Sequence, residues 1–216
     1  MRHLCAIIAT TLLAGSAFAD TINVPGDYAL IQDAIDASVN GDVIAIAAGT
    51  YYEHSLNPGG KAITIQGTVN GDGSLATTID AQQGGSVFVI NFGEGSGTEM
   101  RDLIITGGSN VDGGGIYCYN NSNPSISSCM ISGNESNYYG AGISCWDNSN
   151  PTISGCTISG NTANGGGGIF CWDNSNPTIT GCTMSDNSPD MIYGSATLIT
   201  NTNSTVGACC LGGTCI

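Results

Sequence analysis

Positive charge is what this 216-residue chain has least of: three Lys and Arg together stand against 17 Asp and Glu, for a formal net charge of −14. Phosphate backbones need Lys and Arg to displace their counterions, so nucleic acid is excluded as a partner. An anionic membrane surface is disfavoured for the same reason. Histidine adds only two residues, and no CxxC spacing occurs, so a zinc site has no ligand set. Beyond the N-terminus no apolar run is long enough for a membrane helix, and no membrane insertion is expected.

The first residues read as a secretory leader. Arg2 and His3 precede the mostly apolar stretch Leu4 to Leu13, which is too short to span a bilayer, and Ala17-Phe18-Ala19 is a small-x-small cleavage site. Cleavage after residue 19 gives a secreted or cell-surface chain starting at Asp20. The lipobox-like Leu13-Ala14-Gly15-Ser16 has Ser16 where a lipidated Cys would stand. With Arg2 gone, Lys61 and Arg101 are the only Lys and Arg left, and the net charge becomes −15. Such acidity serves solubility, or Ca²⁺ binding through hard carboxylates.

What is abundant is repetition. GGGIYCYNNSNPSISSCMISGN begins at Gly113, GAGISCWDNSNPTISGCTISGN at Gly140 and GGGIFCWDNSNPTITGCTMSDN at Gly166, so that Cys118, Cys145 and Cys171 recur at intervals of 27 and 26 residues. A fixed period of this size marks a solenoid whose repeats stack to bury a shared core. Each repeat is then one coil, about 4.8 Å above the last. Parity gives direction. Ile116/Cys118, Ile143/Cys145 and Ile169/Cys171 point inward, as do Ile126, Ile153 and Ile179. The next apolar positions, Cys129, Cys156 and Cys182, come three residues on, which marks a bend. Ile131, Ile158 and Met184 restore the alternation. Asn121/Asn148/Asn174, Asn123/Asn150/Asn176 and Asn134/Asn161/Asn187 fall at turns, where Asn ladders hydrogen-bond along the axis.

Upstream, Pro25-Gly26 precedes a helical pattern over 27–39, with Asp27 as N-cap and Leu30, Ile31, Ala34, Ile35 and Ser38 on one stripe. Short apolar runs follow at Asp42–Ala47, Ala62–Gln66, Thr77–Ile79, Ser86–Ile90 and Leu103–Thr106, separated by Gly, Asn, Asp and Ser. A short helix, then GDVIAIAAGTYYE, then KAITIQG resembles the N-terminus of the pectin-lyase-like superfamily of right-handed parallel β-helices. The resemblance implies an all-β solenoid with a short N-terminal capping helix: cap 27–39, irregular coils 42–110 and regular repeats 113–189 within a domain of 20–205, then a Cys-rich tail at 206–216. The GG(G/A)I and SGN elements also resemble the GGA(I/V/L) and FxxN repeats of polymorphic outer-membrane proteins and autotransporter adhesins, although the three repeats contain no FxxN.

Nine cysteines remain after the leader. In-register Cβ atoms about 4.8 Å apart exceed disulfide reach, and three members leave one unpaired, which favours buried free thiols. A bridge within a coil, Cys118 to Cys129, requires the two strands to be close across the core. The tail GACCLGGTC leaves open a flexible end, pairing with another chain, or a longer protein.

Catalytic motifs that the resemblance would imply are not found. There is no Arg-x-Lys and no His-Gly for a polygalacturonase, and no recognisable esterase set. Arg101, beside Asp102 and Glu99, reads as a surface residue at a strand entry rather than a lyase base. Asp147 and Asp173 form a carboxylate pair that repetition alone explains. Asn70-Gly71-Asp72-Gly73 and Asn110-Val111-Asp112-Gly113 resemble fragments of a Ca²⁺ loop, but neither has the terminal Glu, so no cofactor is expected. The candidate binding site is one outward column, Tyr119, Trp146 and Trp172, with Tyr117 and Phe170 on the same face and Asp147 and Asp173 beside it. Aromatic faces flanked by polar groups suit sugars. The alternative is an aromatic ladder that only stabilises the sheet. The expected function is a non-catalytic protein that binds polysaccharide or a cell-surface glycan, or mediates adhesion. The alternatives are a carbohydrate-active enzyme of the pectin-lyase-like kind and a purely structural segment of a larger surface protein.

Overall fold

A computed structural model describes residues 19–194, together with the backbone of the short strands Thr205–Val206, Cys209–Leu211 and Thr214–Cys215. The expected leader lies almost wholly outside the described residues, as do the side chains of the tail cysteines.

Three sheets of seven strands each run the length of the molecule, parallel except for the last pair, Cys209–Leu211 with Thr214–Cys215, which is antiparallel; successive coils contribute one strand to each sheet. In the first repeat those strands are Ile116–Cys118, Ser125–Ser127 and Met130–Ser132. The pairing is in register from coil to coil: Ile116, Ile143, Ile169 and Ile192 form one column, and Cys118, Cys145, Cys171 and Gly194 the next. Ile126, Ile153 and Ile179 stack in a second sheet, and Ile131, Ile158 and Met184 in the third. All of these apolar residues are buried in one continuous core, as the parity predicts. The three-residue step to Cys129, Cys156 and Cys182 is a left-handed bend, with φ of 52° at Ser128, 60° at Gly155 and 62° at Gly181. All six repeat cysteines are buried. The thiols of Cys129, Cys156 and Cys182 donate to the carbonyls of Ser127, Ser154 and Thr180.

Polar ladders accompany the apolar ones. Asn134, Asn161 and Asn187 are buried. The side-chain amide of Asn134 donates to Oδ1 of Asn161 at 3.0 Å, and that of Asn161 to Oδ1 of Asn187 at 2.9 Å. Each Oδ1 also accepts a backbone N–H from the coil below: Gly108 to Asn134, Asn134 to Asn161, Asn161 to Asn187. At the exposed turn, Asn123 and Asn150 accept from the backbone N–H groups of Asn150 and Asn176. A third ladder is legible only in the structure. The N–H of Ser122 donates to Ser149 Oγ and that of Ser149 to Ser175 Oγ. The ladder ends on the buried carboxylate of Glu94, which accepts from Ser122 Oγ and from the N–H groups of Phe92 and Gly60.

The capping helix is shorter than expected, Ile31–Ala37 rather than 27–39. Asp27 caps a different turn, accepting from the backbone and side chain of Asn23. Leu30, placed on the apolar stripe by periodicity, is 49% exposed, whereas Ile31, Ala34 and Ile35 are buried. Two residues distant in sequence finish the helix. The Glu53 carboxylate accepts from the N–H groups of Ile31 and Gln32 at 2.7 and 3.1 Å. The Lys61 ammonium donates to the carbonyls of Ile35 and Asp36 at 2.6 and 2.9 Å. A carboxylate at the N-terminus and a cation at the C-terminus both complement the helix dipole. Among the described residues no helix is long and apolar enough to cross a membrane.

Candidate functional site

The outer face of the sheet that holds Ile116–Cys118 carries the aromatic residues. Tyr117, Ser144, Phe170 and Tyr193 occupy equivalent outward positions on consecutive strands. Tyr119, Trp146 and Trp172 follow their strands directly, with backbone N–H groups bonded to Ile90, Cys118 and Cys145 of the preceding coil. Their backbones therefore stack as the repeat predicts, but their side chains do not form one column. The Tyr119 ring lies on Tyr117 at 4.7 Å, and its hydroxyl accepts from the Asn91 amide. Trp146 leans back, its indole N–H donating to Ser144 Oγ at 2.9 Å. Trp172 is 50% exposed and lies nearly parallel to Phe170 at 6.2 Å.

The small Ser144 breaks the column, and a ring from outside the repeat pattern takes the space. Glu135–Tyr139 pairs with Ser109–Asp112 in a separate two-stranded sheet, and Tyr139 stands at its end. Its ring stacks on Phe170 at 4.4 Å and meets Trp146 at 6.2 Å. Gly165 makes room for it: a Cβ there would lie 3.1 Å from Tyr139 Cδ1. On the far side of Phe170, Tyr193 is stacked at 5.6 Å with an interplanar angle of 5°. Phe170 is thus a buried keystone, 2% exposed, among four other rings. Tyr139, Trp146, Phe170, Trp172 and Tyr193 line a slot of about 270 Å³.

Of the expected column, Trp146 and Trp172 enter the slot and Tyr119 stands apart with Tyr117. Tyr139 and Tyr193 were not singled out from the sequence. Tyr193 was readable, since Ile192-Tyr193-Gly194 repeats Ile169-Phe170-Cys171 with Gly for Cys. Tyr139 had no such signal, because its place depends on how the loop before Gly140 folds back.

The carboxylates take two kinds of place. Asp147 and Asp173 are left-handed, both with φ of 52°, and each is followed by a left-handed Asn. Their carbonyls accept from Asn121 and Asn148 of the preceding coil. Short polar side chains tolerate this conformation, so the turn accounts for Asp at both positions. Asp112 is different. Burial raises its pKa, offset in part by a hydrogen bond from the Tyr139 N–H. Its Oδ1 is buried with no hydrogen-bond partner. Burial, then the nearby Asp112 charge, pushes the Tyr117 phenol up to about 12.

The remaining candidates are accounted for by local structure. Asp72 accepts from the N–H and Oγ of Ser74, which closes a turn and lowers its pKa. No group of three His, Cys, Asp or Glu suited to a metal ion occurs among the described residues. Arg101 is partly exposed, donating to Gln66 at 2.8 Å and facing Glu99 at 3.7 Å. A larger depression of about 780 Å³ near the cap is lined by backbone and small side chains around Pro25, Ala45 and Gln66, with no ionisable group.

Two crystal structures of pectin methylesterase from Aspergillus niger, in penultimately deglycosylated and deglycosylated forms respectively, superpose on this chain. Both alignments cover 88% of this chain and 75% of theirs, at 17% and 18% identity and TM-scores of 0.47 and 0.41. No curated protein matches the sequence. Residues 54–213 match the family model described as the right handed beta helix region. With its parallel coils, in-register ladders and three sheets, the chain belongs to the right-handed β-helix family.

Proposed function

We propose that this protein is a secreted or cell-surface β-helix that binds polysaccharide, or mediates adhesion through a surface glycan, without turning it over. The observation that carries this reading is the aromatic slot. Four partly exposed or exposed rings surround a buried fifth on one face of a rigid sheet, and large flat side chains with few rotamers bind at low entropic cost. Asp147 and Asp173, beside two of the rings, supply hydrogen-bond acceptors for hydroxyls. The stacked coils below hold the platform in place through ladders that do not depend on ligand.

The test is affinity electrophoresis of the full chain through gels containing polysaccharide, beside a Trp172→Ala variant. Trp172 is half exposed, so its removal leaves the core intact. The expected result is retardation of the parent chain and a retention constant about tenfold weaker in the variant. Equal retardation of both would refute the slot as the binding site. Release of reducing or unsaturated ends from any retained polysaccharide would instead make the protein an enzyme.

A further inference from the structure

The slot lies in an unusual electrostatic setting. After Arg101 the sequence contains no Lys, Arg or His, while residues 102–194 carry seven carboxylates. Three of these belong to the slot's surroundings. Asp112 accepts from the Tyr139 N–H, and Asp147 and Asp173 directly follow Trp146 and Trp172. The described cations are elsewhere: Lys61 is spent on the carbonyls at the end of the helix, and Arg101 on Gln66 and Glu99. Nothing near the rings offsets the negative field, and the ring faces are themselves negative.

From this we infer that the slot selects an ammonium-bearing sugar, the free amino sugar unit of a deacetylated polysaccharide, over neutral or uronate units. The inference rests on the carbohydrate-binding reading above and adds the sign of the ligand's charge. The ring of one sugar residue enters the slot, whose volume of about 270 Å³ lies just under the range usual for drug-sized ligands. Its ammonium meets aromatic faces, where a cation is attracted by the ring quadrupole, and the carboxylates of Asp147 and Asp173, one residue beyond Trp146 and Trp172, complement it from the turn. A uronate in the same place would bring a negative charge to an acidic face with no described cation beside it. Asp at positions 147 and 173, where the first repeat has Asn120, is then a second feature of the site: the turn tolerates either residue, and the copies that carry tryptophan also carry the charge.

The protein supplies its own reporter, because its two tryptophans both line the slot. The experiment is a fluorescence titration of the full chain with three oligosaccharides of equal length: glucosamine with free amines, N-acetylglucosamine, and galacturonate. The expected outcome is quenching by the amine oligomer at least about tenfold tighter than by the acetylated one, no binding of galacturonate, and weakening as salt rises. Trp172→Ala should weaken amine binding by about threefold to thirtyfold, read from Trp146. Asp147→Asn with Asp173→Asn should keep the turn and reduce the preference for the amine. If the acetylated or uronate oligomer binds as tightly as the amine, the charge inference is overturned while the platform stands. Absence of binding by all three overturns both. Amine binding untouched by Trp172→Ala shows diffuse attraction to an acidic surface and also overturns the inference.

Discussion

Replacing Asn161 by Ala is the sharpest test of what holds the coils in register. The Oδ1 of Asn161 accepts from the Asn134 backbone N–H at 3.1 Å and from its side-chain amide at 3.0 Å. Its own amide donates to the Ile131 carbonyl at 3.0 Å and to Asn187 Oδ1 at 2.9 Å. Alanine removes all four bonds from a site with no solvent exposure. The Asn134 N–H is then a buried donor without a partner, which costs about 1–3 kcal/mol. The other three bonds contribute roughly 0.5–1.5 kcal/mol each, and their loss is eased because Asn134 keeps the Ile105 carbonyl and Asn187 keeps the Asn161 N–H. The expected loss is about 3–5 kcal/mol, a large part of the roughly 5–15 kcal/mol that stabilises a typical domain. In urea, with a slope of about 1–3 kcal/mol per molar, the midpoint should fall by about 2 M. Asn164→Ala is the control. Its amide reaches the Asn137 carbonyl at an exposed site, where water replaces it at a cost within about 0.5 kcal/mol. Equilibrium unfolding followed by circular dichroism reads both. If the two variants share a midpoint, the buried Asn ladder contributes no more than a surface contact and the reasoning is refuted.

Two further outcomes follow from the same ladders. The hydrogen bond with Cys129, with burial, pushes the Cys156 thiol up to about 12, burial raises Cys118, and the bond with Cys171 raises Cys145. At pH 8 the six repeat thiols should resist alkylation in the native protein and all label in denaturant without reductant, as counted by mass spectrometry; labelling only after reduction would refute free thiols. Because Cys118, Cys145 and Cys156 hold their protons more tightly in the fold than an unfolded thiol at 9.0, the contribution of these three is complete below that pH and is lost as pH rises towards about 12, visible as a falling melting temperature. Gly142→Ala sets a Cβ against the Gly168 carbonyl of the next coil and should cost about 3 kcal/mol, the upper end for overpacking. Gly160→Ala has open space and pays only for its φ of 63°, about 1–2 kcal/mol, so equal losses in urea unfolding would refute the close-approach account.

The sequence by itself determined the coils. A side chain in a parallel stack meets its own equivalent one coil away, so a repeat with period-two alternation states which residues face in and which neighbour they touch. Ile116, Cys118, Ile126, Cys129 and Ile131 with their equivalents, the stacked Asn positions and the bend before each second cysteine were all legible on that ground. The tertiary structure decided whatever relies on groups that do not repeat. Helix limits at Ile31 and Ala37 depend on Glu53 and Lys61, which come from later coils and carry no local signal. The Ser122–Ser149–Ser175 ladder needs Glu94 to end it. The expected column of Tyr119, Trp146 and Trp172 became a slot because Ser144 leaves a gap, Tyr139 fills it from a separate strand pair and Trp146 turns back to bond the serine. Periodicity fixes where a backbone places a side chain, but the direction of a large ring is set by which neighbours leave room for it, and at this face those neighbours differ from one coil to the next.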